Sequence, residues 1–195
     1  MIILFQVEEY SNRVANYFIS LGYKKGDSVA FFMENRPEYI ATWLGLAKIG
    51  VTPALINYNL KQQSLVHTIQ VSNCKSIIYG IELEKGIQCN TILYIFHYRK
   101  RSIFFIRRFF CLKGVIEVYK ELCETNGGKF QAFNCISGSD PELLNLSCKS
   151  QLEGCINLDS AIEKSSLLKE PEHVTKSIHY NDTLLYIYTS GTTGN

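Results

Sequence analysis

An α/β fold, a parallel sheet with flanking helices, is predicted for this chain, and three features carry the prediction. Apolar runs without polar alternation occur at 29–33, 52–56, 76–79 and 184–188, the pattern of strands covered on both faces. Segments with apolar residues at helical spacing separate the first three runs. The links between them are short and rich in glycine and capping residues, which favours parallel pairing through right-handed crossovers.

The elements follow in order. Val7, Tyr10, Val14, Tyr17, Phe18 and Leu21 repeat on one helical face, and Gly22 suits the position just past the helix end. The turn Lys24-Lys25-Gly26-Asp27 leads into the strand at 29–33. Asn35 is the expected cap of a second helix, with Pro37 in the first turn and Glu38 completing a capping box. Asn35 and Arg36 are therefore expected at the surface. Tyr39, Ile40, Trp43, Leu44, Leu46 and Ala47 form its expected apolar face, a core stripe rather than a cofactor site, and Gly50 ends it. A strand at 52–56 tolerates Pro53 near its start. Asn59 with Gln62 signals a third capped helix that turns Leu65, Val66 and Ile69 inward, before a strand at 76–79 closed by Gly80. Helical spacing resumes with Val115, Val118, Tyr119 and Leu122, ahead of Asn126-Gly127-Gly128. A strand is expected at 129–134. Residues 136–181, rich in Ser, Asn, Glu and Lys, read as a long surface connection with one weak helix near 159–168.

Composition narrows the class. The chain of 195 residues is 46% apolar and 19% charged, which suits a packed globular unit. Seven cysteines, an odd number without a Cys-x-x-Cys pair, favour reduced cytosolic thiols over disulfides or zinc. His67, His97, His173 and His179 show no ligand spacing, and no metal site is expected. No secretory leader is seen.

The run at 184–188 ends abruptly in Thr189-Ser190-Gly191-Thr192-Thr193-Gly194-Asn195. Glycine permits close backbone approach, and successive N–H groups in such a turn converge on an anion. The hydroxyls of Thr189, Ser190, Thr192 and Thr193 add donors for phosphate oxygens. The stretch is not a Walker A loop, because no lysine follows Gly194 at the required spacing. Taken alone, Ser190 to Gly194 suits a polar surface turn equally well.

The longer string from Tyr186 through Gly194 resembles the signature loop of the adenylate-forming enzymes, which include acyl-CoA synthetases, luciferases and peptide-synthetase adenylation domains. Upstream blocks sharpen the resemblance: Tyr10-Ser11-Asn12-Arg13-Val14-Ala15, Phe32-Met33-Glu34-Asn35-Arg36-Pro37-Glu38-Tyr39, Trp43 to Gly50, Ala54-Leu55-Ile56-Asn57 and Asn59-Leu60. Together, over about 6–84 and 180–195, they look like the branch of fatty acid transport proteins, the very-long-chain acyl-CoA synthetases. The resemblance implies that residues 1–195 are an incomplete N-terminal part of the family's large AMP-binding domain. It implies ATP, Mg2+ and CoA for the complete enzyme, with a long-chain or very-long-chain fatty acid as substrate and a role in its uptake. Thr189, Ser190, Gly191, Thr192, Thr193 and Gly194 would hold the ATP phosphates, and Tyr188 would support the loop. It also implies intracellular membrane association, at the endoplasmic reticulum or plasma membrane, although no segment here is long enough to span a bilayer. Nucleic acid is not an expected partner. The family's lysine after the loop, its acidic Mg2+ ligand, adenine contacts, hinge and C-terminal lid with the catalytic lysine have no position in this sequence. No catalytic residue is therefore expected in it, nor ligase turnover by the chain alone. A sheet cut midway is also expected to leave unpaired edges.

Residues 86–114 break the pattern. From Lys85 to Lys113 there are seven basic residues and no acidic one, while the rest of the chain has 13 basic and 18 acidic. Aromatics interleave with arginines in Tyr98-Arg99-Lys100-Arg101 and Arg107-Arg108-Phe109-Phe110. Such a segment suits a membrane surface or single-stranded nucleic acid, so the alternative class is a non-catalytic binding module. A basic surface insertion is a second reading. The abrupt change of charge favours a third: a stretch foreign to the native protein, such as a retained intron. Joining Glu84 to Val115 would then give one acidic-apolar helix.

Overall fold

The structure, a computed structural model, describes residues 4–60, 62–84, 93–98, 101–106, 115–136 and 152–188. Its elements are α1 (Leu4–Ser20), β1 (Ser28–Phe32), α2 (Pro37–Ala47), β2 (Thr52–Leu55), α3 (Gln62–Val71) and β3 (Cys74–Gly80) with a 3-10 turn at Ile81–Leu83. There follow β4 (Leu93–Tyr98), β5 (Arg101–Ile106), α4 (Val115–Thr125), β6 (Gln131–Cys135), β7 (Ile156–Asn157), α5 (Leu158–Glu163), the single turn α6 (Glu172–Thr175) and β8 (Tyr186–Ile187).

Six strands form one parallel sheet in the order β7-β6-β3-β1-β2-β8, and β4 and β5 pair with each other in a separate antiparallel sheet. The α/β prediction holds. The sheet has a core on each face because side chains alternate along a strand. Ala30, Phe32, Ile77, Tyr79 and Ala132 point toward α3 and α4, where Leu65, Val66, Ile69, Val118 and Leu122 meet them. Val29, Phe31, Ile78 and Phe133 point toward α1, α2 and α5, against Phe18, Leu46, Leu158 and Ile162. Phe18 centres an aromatic cluster, with ring centroids 4.9 Å from Tyr23 and 5.3 Å from Phe133. Gly22 and Gly50 take positive φ at the ends of their helices, as their positions predicted.

Several expectations are corrected. Helix α2 is entered through Arg36, not Asn35, and no side-chain cap bond forms. Pro37 forces the residue before it into extended backbone, and Arg36 has φ −155° and ψ 165°. The buried face of α2 is Ala41, Thr42, Gly45 and Leu46, while Ile40 is 51% exposed. Small residues win that face because α1 lies close: a Cβ on Gly45 would stand 2.7 Å from the Ser11 carbonyl oxygen. Just ahead of α3, the Asn59 backbone N–H and side-chain amide both donate to Asn57 Oδ1. The chain after β3 makes a 3-10 turn at Ile81–Leu83, and α4 starts at Val115.

The connection at 136–181 is not wholly superficial. Leu152, Leu158 and Ile162 enter the core, and Asn157 caps α5 by accepting from the Ser160 N–H at 2.8 Å. The Asn12-Arg13 block holds this segment from α1. Arg13 donates to the Ile162 and Glu163 carbonyls at the end of α5, Asn12 to the Leu167 carbonyl, and Asn16 to those of Ser166 and Leu168. A cation at a helix C-terminus also meets the negative end of its dipole. Among the described residues, no helix is long and apolar enough to cross a membrane.

Candidate functional site

In an all-parallel sheet every strand ends at the same edge. That edge is where ligands bind in open α/β sheets, at the point where successive connections leave in opposite directions. Here β1 connects to β2 on one side and β3 to β6 on the other, so the crevice lies between the ends of β1 and β3.

Arg36 and Glu82 meet across it. Arg36 Nη1 is 3.4 Å from Glu82 Oε2 and Nη2 is 3.4 Å from Oε1, with side chains 6% and 7% exposed. Each residue is placed by its neighbour in sequence. Pro37 extends Arg36, and Gly80 leaves room for the Glu82 carboxylate to fold back, since a Cβ on Gly80 would collide with it. Arg36 was expected at the surface. The residue as a whole is half-buried, but its side chain is enclosed, because a guanidinium with a carboxylate fork opposite can leave water, whereas an unpaired one cannot. Beside this pair, the Tyr79 hydroxyl donates to Glu84 Oε2 at 2.7 Å, and Asp159 accepts from the Ile136 N–H at 2.6 Å.

The thiols and phenols here are held in their neutral forms. Burial, then the neighbouring Asp159, pushes the Cys135 thiol far above the usual range despite the opposing Arg36 charge. Burial likewise raises Tyr10, with Cys135 and Asp159 adding to it. A thiol kept protonated is a poor nucleophile. Among the described residues no group of three or more His, Cys, Asp and Glu is arranged to hold a metal ion. The cleft beside Tyr10, lined also by Gln6, Val7, Glu38 and Ala41, holds about 200 Å3. That is smaller than the roughly 300 Å3 from which small-molecule sites begin.

β8 brings the chain to the same edge two strands away. It pairs with β2 through Ala54–Tyr186 and Leu55–Ile187, and the Tyr188 hydroxyl donates to the Thr68 carbonyl at 3.1 Å, tying the strand end to α3. Burial raises the pKa of Tyr188. Thr189, Ser190, Gly191, Thr192, Thr193 and Gly194 lie outside the described residues. The strand itself differs from expectation: it has two residues, not five, and Ile187 is 70% exposed. Among the described residues it pairs with β2 alone.

The AMP-binding enzyme family matches residues 5–195. The chain belongs to this family. Long-chain fatty acid transport protein 1 of Rattus norvegicus is 34% identical over 189 residues, covering 97% of this chain and 23% of that protein. The Bos taurus protein of the same name is 48% identical over 82 residues, which are 42% of this chain and 13% of that protein. The chain thus spans about a quarter of the length of the relative matched along it. The same figures show that 97% of this chain corresponds to a stretch of relative roughly 40 residues shorter, taking the two namesakes as equal in length. A crystal structure of an anthranilate CoA ligase in complex with anthranoyl-AMP superimposes with a TM-score of 0.59 at 18% identity, over 97% of this chain and 27% of that one. The AMP-binding fold therefore accounts for the parallel sheet and its flanking helices.

Proposed function

We propose that this chain is the N-terminal part of the AMP-binding domain of an ATP-dependent long-chain or very-long-chain fatty acid–CoA ligase. The single observation that carries the reading is the family match across 5–195, which ends in the hydroxyl- and glycine-rich string after β8. The likeness to fatty acid transport proteins supports the acyl substrate class and association with a membrane of the endoplasmic reticulum or cell surface.

The reaction has two displacements. A carboxylate oxygen attacks the α-phosphorus of ATP, the bond to the bridging oxygen breaks, and pyrophosphate leaves. The CoA thiolate then attacks the acyl carbonyl and AMP leaves. For such transfers the protein's contribution is positioning and charge neutralisation. Ser190, Thr192 and Thr193 supply hydroxyl donors to the β- and γ-phosphates, Thr189 adds a donor at the loop's entry, and Gly191 and Gly194 let the backbone approach. Tyr188 anchors the loop's base through its bond to Thr68. Mg2+ would neutralise the phosphates, but the described residues offer it no ligand cluster, and no step is assigned through it.

Titrating ATP and pyrophosphate into the chain tests this reading. Both are expected to compete for one site. Ser190→Ala and Thr193→Val should each weaken binding about tenfold or more, the value of a charge-assisted hydrogen bond. Affinity untouched by both substitutions would sink it.

A further inference from the structure

We propose that Lys25 is a positioning residue for nucleotide binding, acting through β8 from the opposite edge of the sheet. The proposal rests on the adenylation reading.

The strap that delivers β8 is held by little apolar burial. Among the described residues none from 175 to 187 is buried, and none joins either core. A cleft of about 210 Å3 lies between Ile178 and Leu184 of the strap and Ala47, Gly50 and Val51 at the end of α2. β8 adds a ladder of two residue pairs. Burial therefore does little to offset the entropy of ordering this strap, and polar contacts take its place.

Those contacts come from the early part of the chain. Lys25 Nζ donates to the Ser177 carbonyl at 2.7 Å and pairs with Asp182 Oδ2 at 2.7 Å, so one ammonium gathers two points of the strap. The same Asp182 oxygen accepts from the His179 N–H at 2.6 Å, which closes the turn between them. Thr52, the first residue of β2, donates from Oγ1 to the Thr183 carbonyl at 3.2 Å. Lys25 is itself seated. The Gly26 N–H donates to the Gly50 carbonyl at 2.9 Å, and a Cβ on Gly50 would stand 3.0 Å from Lys25 Cγ.

Direction decides what this clasp can do. β8 runs parallel to β1 and β2, Lys25 precedes β1, and Ser177 to Thr183 precede β8. The clasp thus sits where the strands begin, whereas ligands bind where they end. The four residues of β2, about 13 Å, separate the two edges. Lys25 acts on a bound nucleotide by fixing where β8 starts, as Tyr188 fixes where it finishes. A strand docked for only part of the time lowers the apparent affinity of any ligand held at its end by that fraction. An exposed ion pair contributes little by itself, and the Lys25 and Asp182 side chains are 34% and 27% exposed, so the expected effect is about threefold to tenfold.

The test measures ATP affinity of the whole chain by calorimetry, with amide hydrogen exchange in parallel. The variants are Lys25→Met, Lys25→Arg, Asp182→Asn and Lys24→Met. Lys25→Met and Asp182→Asn are each expected to weaken ATP binding about threefold to tenfold and to speed exchange at 186–188, with the thermal midpoint unchanged. Lys25→Arg should keep most of the affinity, and Lys24→Met all of it. If Lys25 merely attracted ATP by its charge, Asp182→Asn would bind more tightly and Lys24→Met would lose as much as Lys25→Met. Either result overturns the positioning role, as does weaker binding without faster exchange at 186–188. Full affinity in Lys25→Met, with the unaltered chain binding ATP, overturns the positioning role and leaves the adenylation reading standing. An unaltered chain that binds no ATP overturns both.

Discussion

β1 and β8 are parallel strands of one sheet with a single strand between them, yet they live in opposite environments. Every residue of β1 is buried, flanked by β2 and β3 and covered by helices on both faces. Both residues of β8 are exposed. The difference separates two tasks. The centre of the sheet carries the stability, and the edge carries the string proposed to grip phosphate.

The comparison breaks most readily at the centre. Phe31→Ala should destabilise the domain by about 3–5 kcal/mol, the usual result of emptying a packed aromatic site, measured by denaturant unfolding. Arg36→Ala comes next at about 3 kcal/mol, because it strands the buried Glu82 carboxylate. The double change Arg36→Met with Glu82→Met should recover most of that loss, which separates the stranded charge from lost packing.

A pH scan probes the first residue of β3. Burial pushes the Cys74 thiol up to about 11, against a weaker opposing hydrogen bond from Ser72. A raised folded pKa means the stabilisation is whole below the unfolded thiol value near 9 and fades as pH climbs through 11. The loss should approach roughly 2–3 kcal/mol, and Cys74→Ala should flatten that part of the curve. The smallest effect belongs to the edge. Ile187→Ala, at a site 70% exposed, should change stability by less than about 0.5 kcal/mol. A loss near that of Phe31→Ala would mean that β8 is not a peripheral strand.

How legible each region was follows from the same physics. Fully buried strands announce themselves as unbroken apolar runs, so β1, β2 and β3 stood out at 29–33, 52–56 and 76–79. The glycines past α1 and α2 marked their ends because few other residues accept positive φ. The packed face of α2 was hidden, since Ala41, Thr42 and Gly45 are chosen for smallness and leave no hydrophobic stripe. Asn35 misled because capping signals ignore the backbone constraint that Pro37 places on Arg36. The Arg36–Glu82 pair joins residues 46 positions apart, and pairing at that range is set by topology rather than local pattern. Its local signals, a residue before proline and a glycine two before a glutamate, gain meaning only once β1 and β3 are known to be neighbours. The string at 189–194 lies outside the described residues, and its residue types alone suit a polar turn as well as a phosphate cradle.

The most direct test is amide hydrogen exchange on the chain with and without ATP. The account predicts slowed exchange concentrated at 189–194, at the end of β8, with the buried amides of β1 unchanged. Protection that bypasses 189–194, or no change on adding ATP, would contradict it.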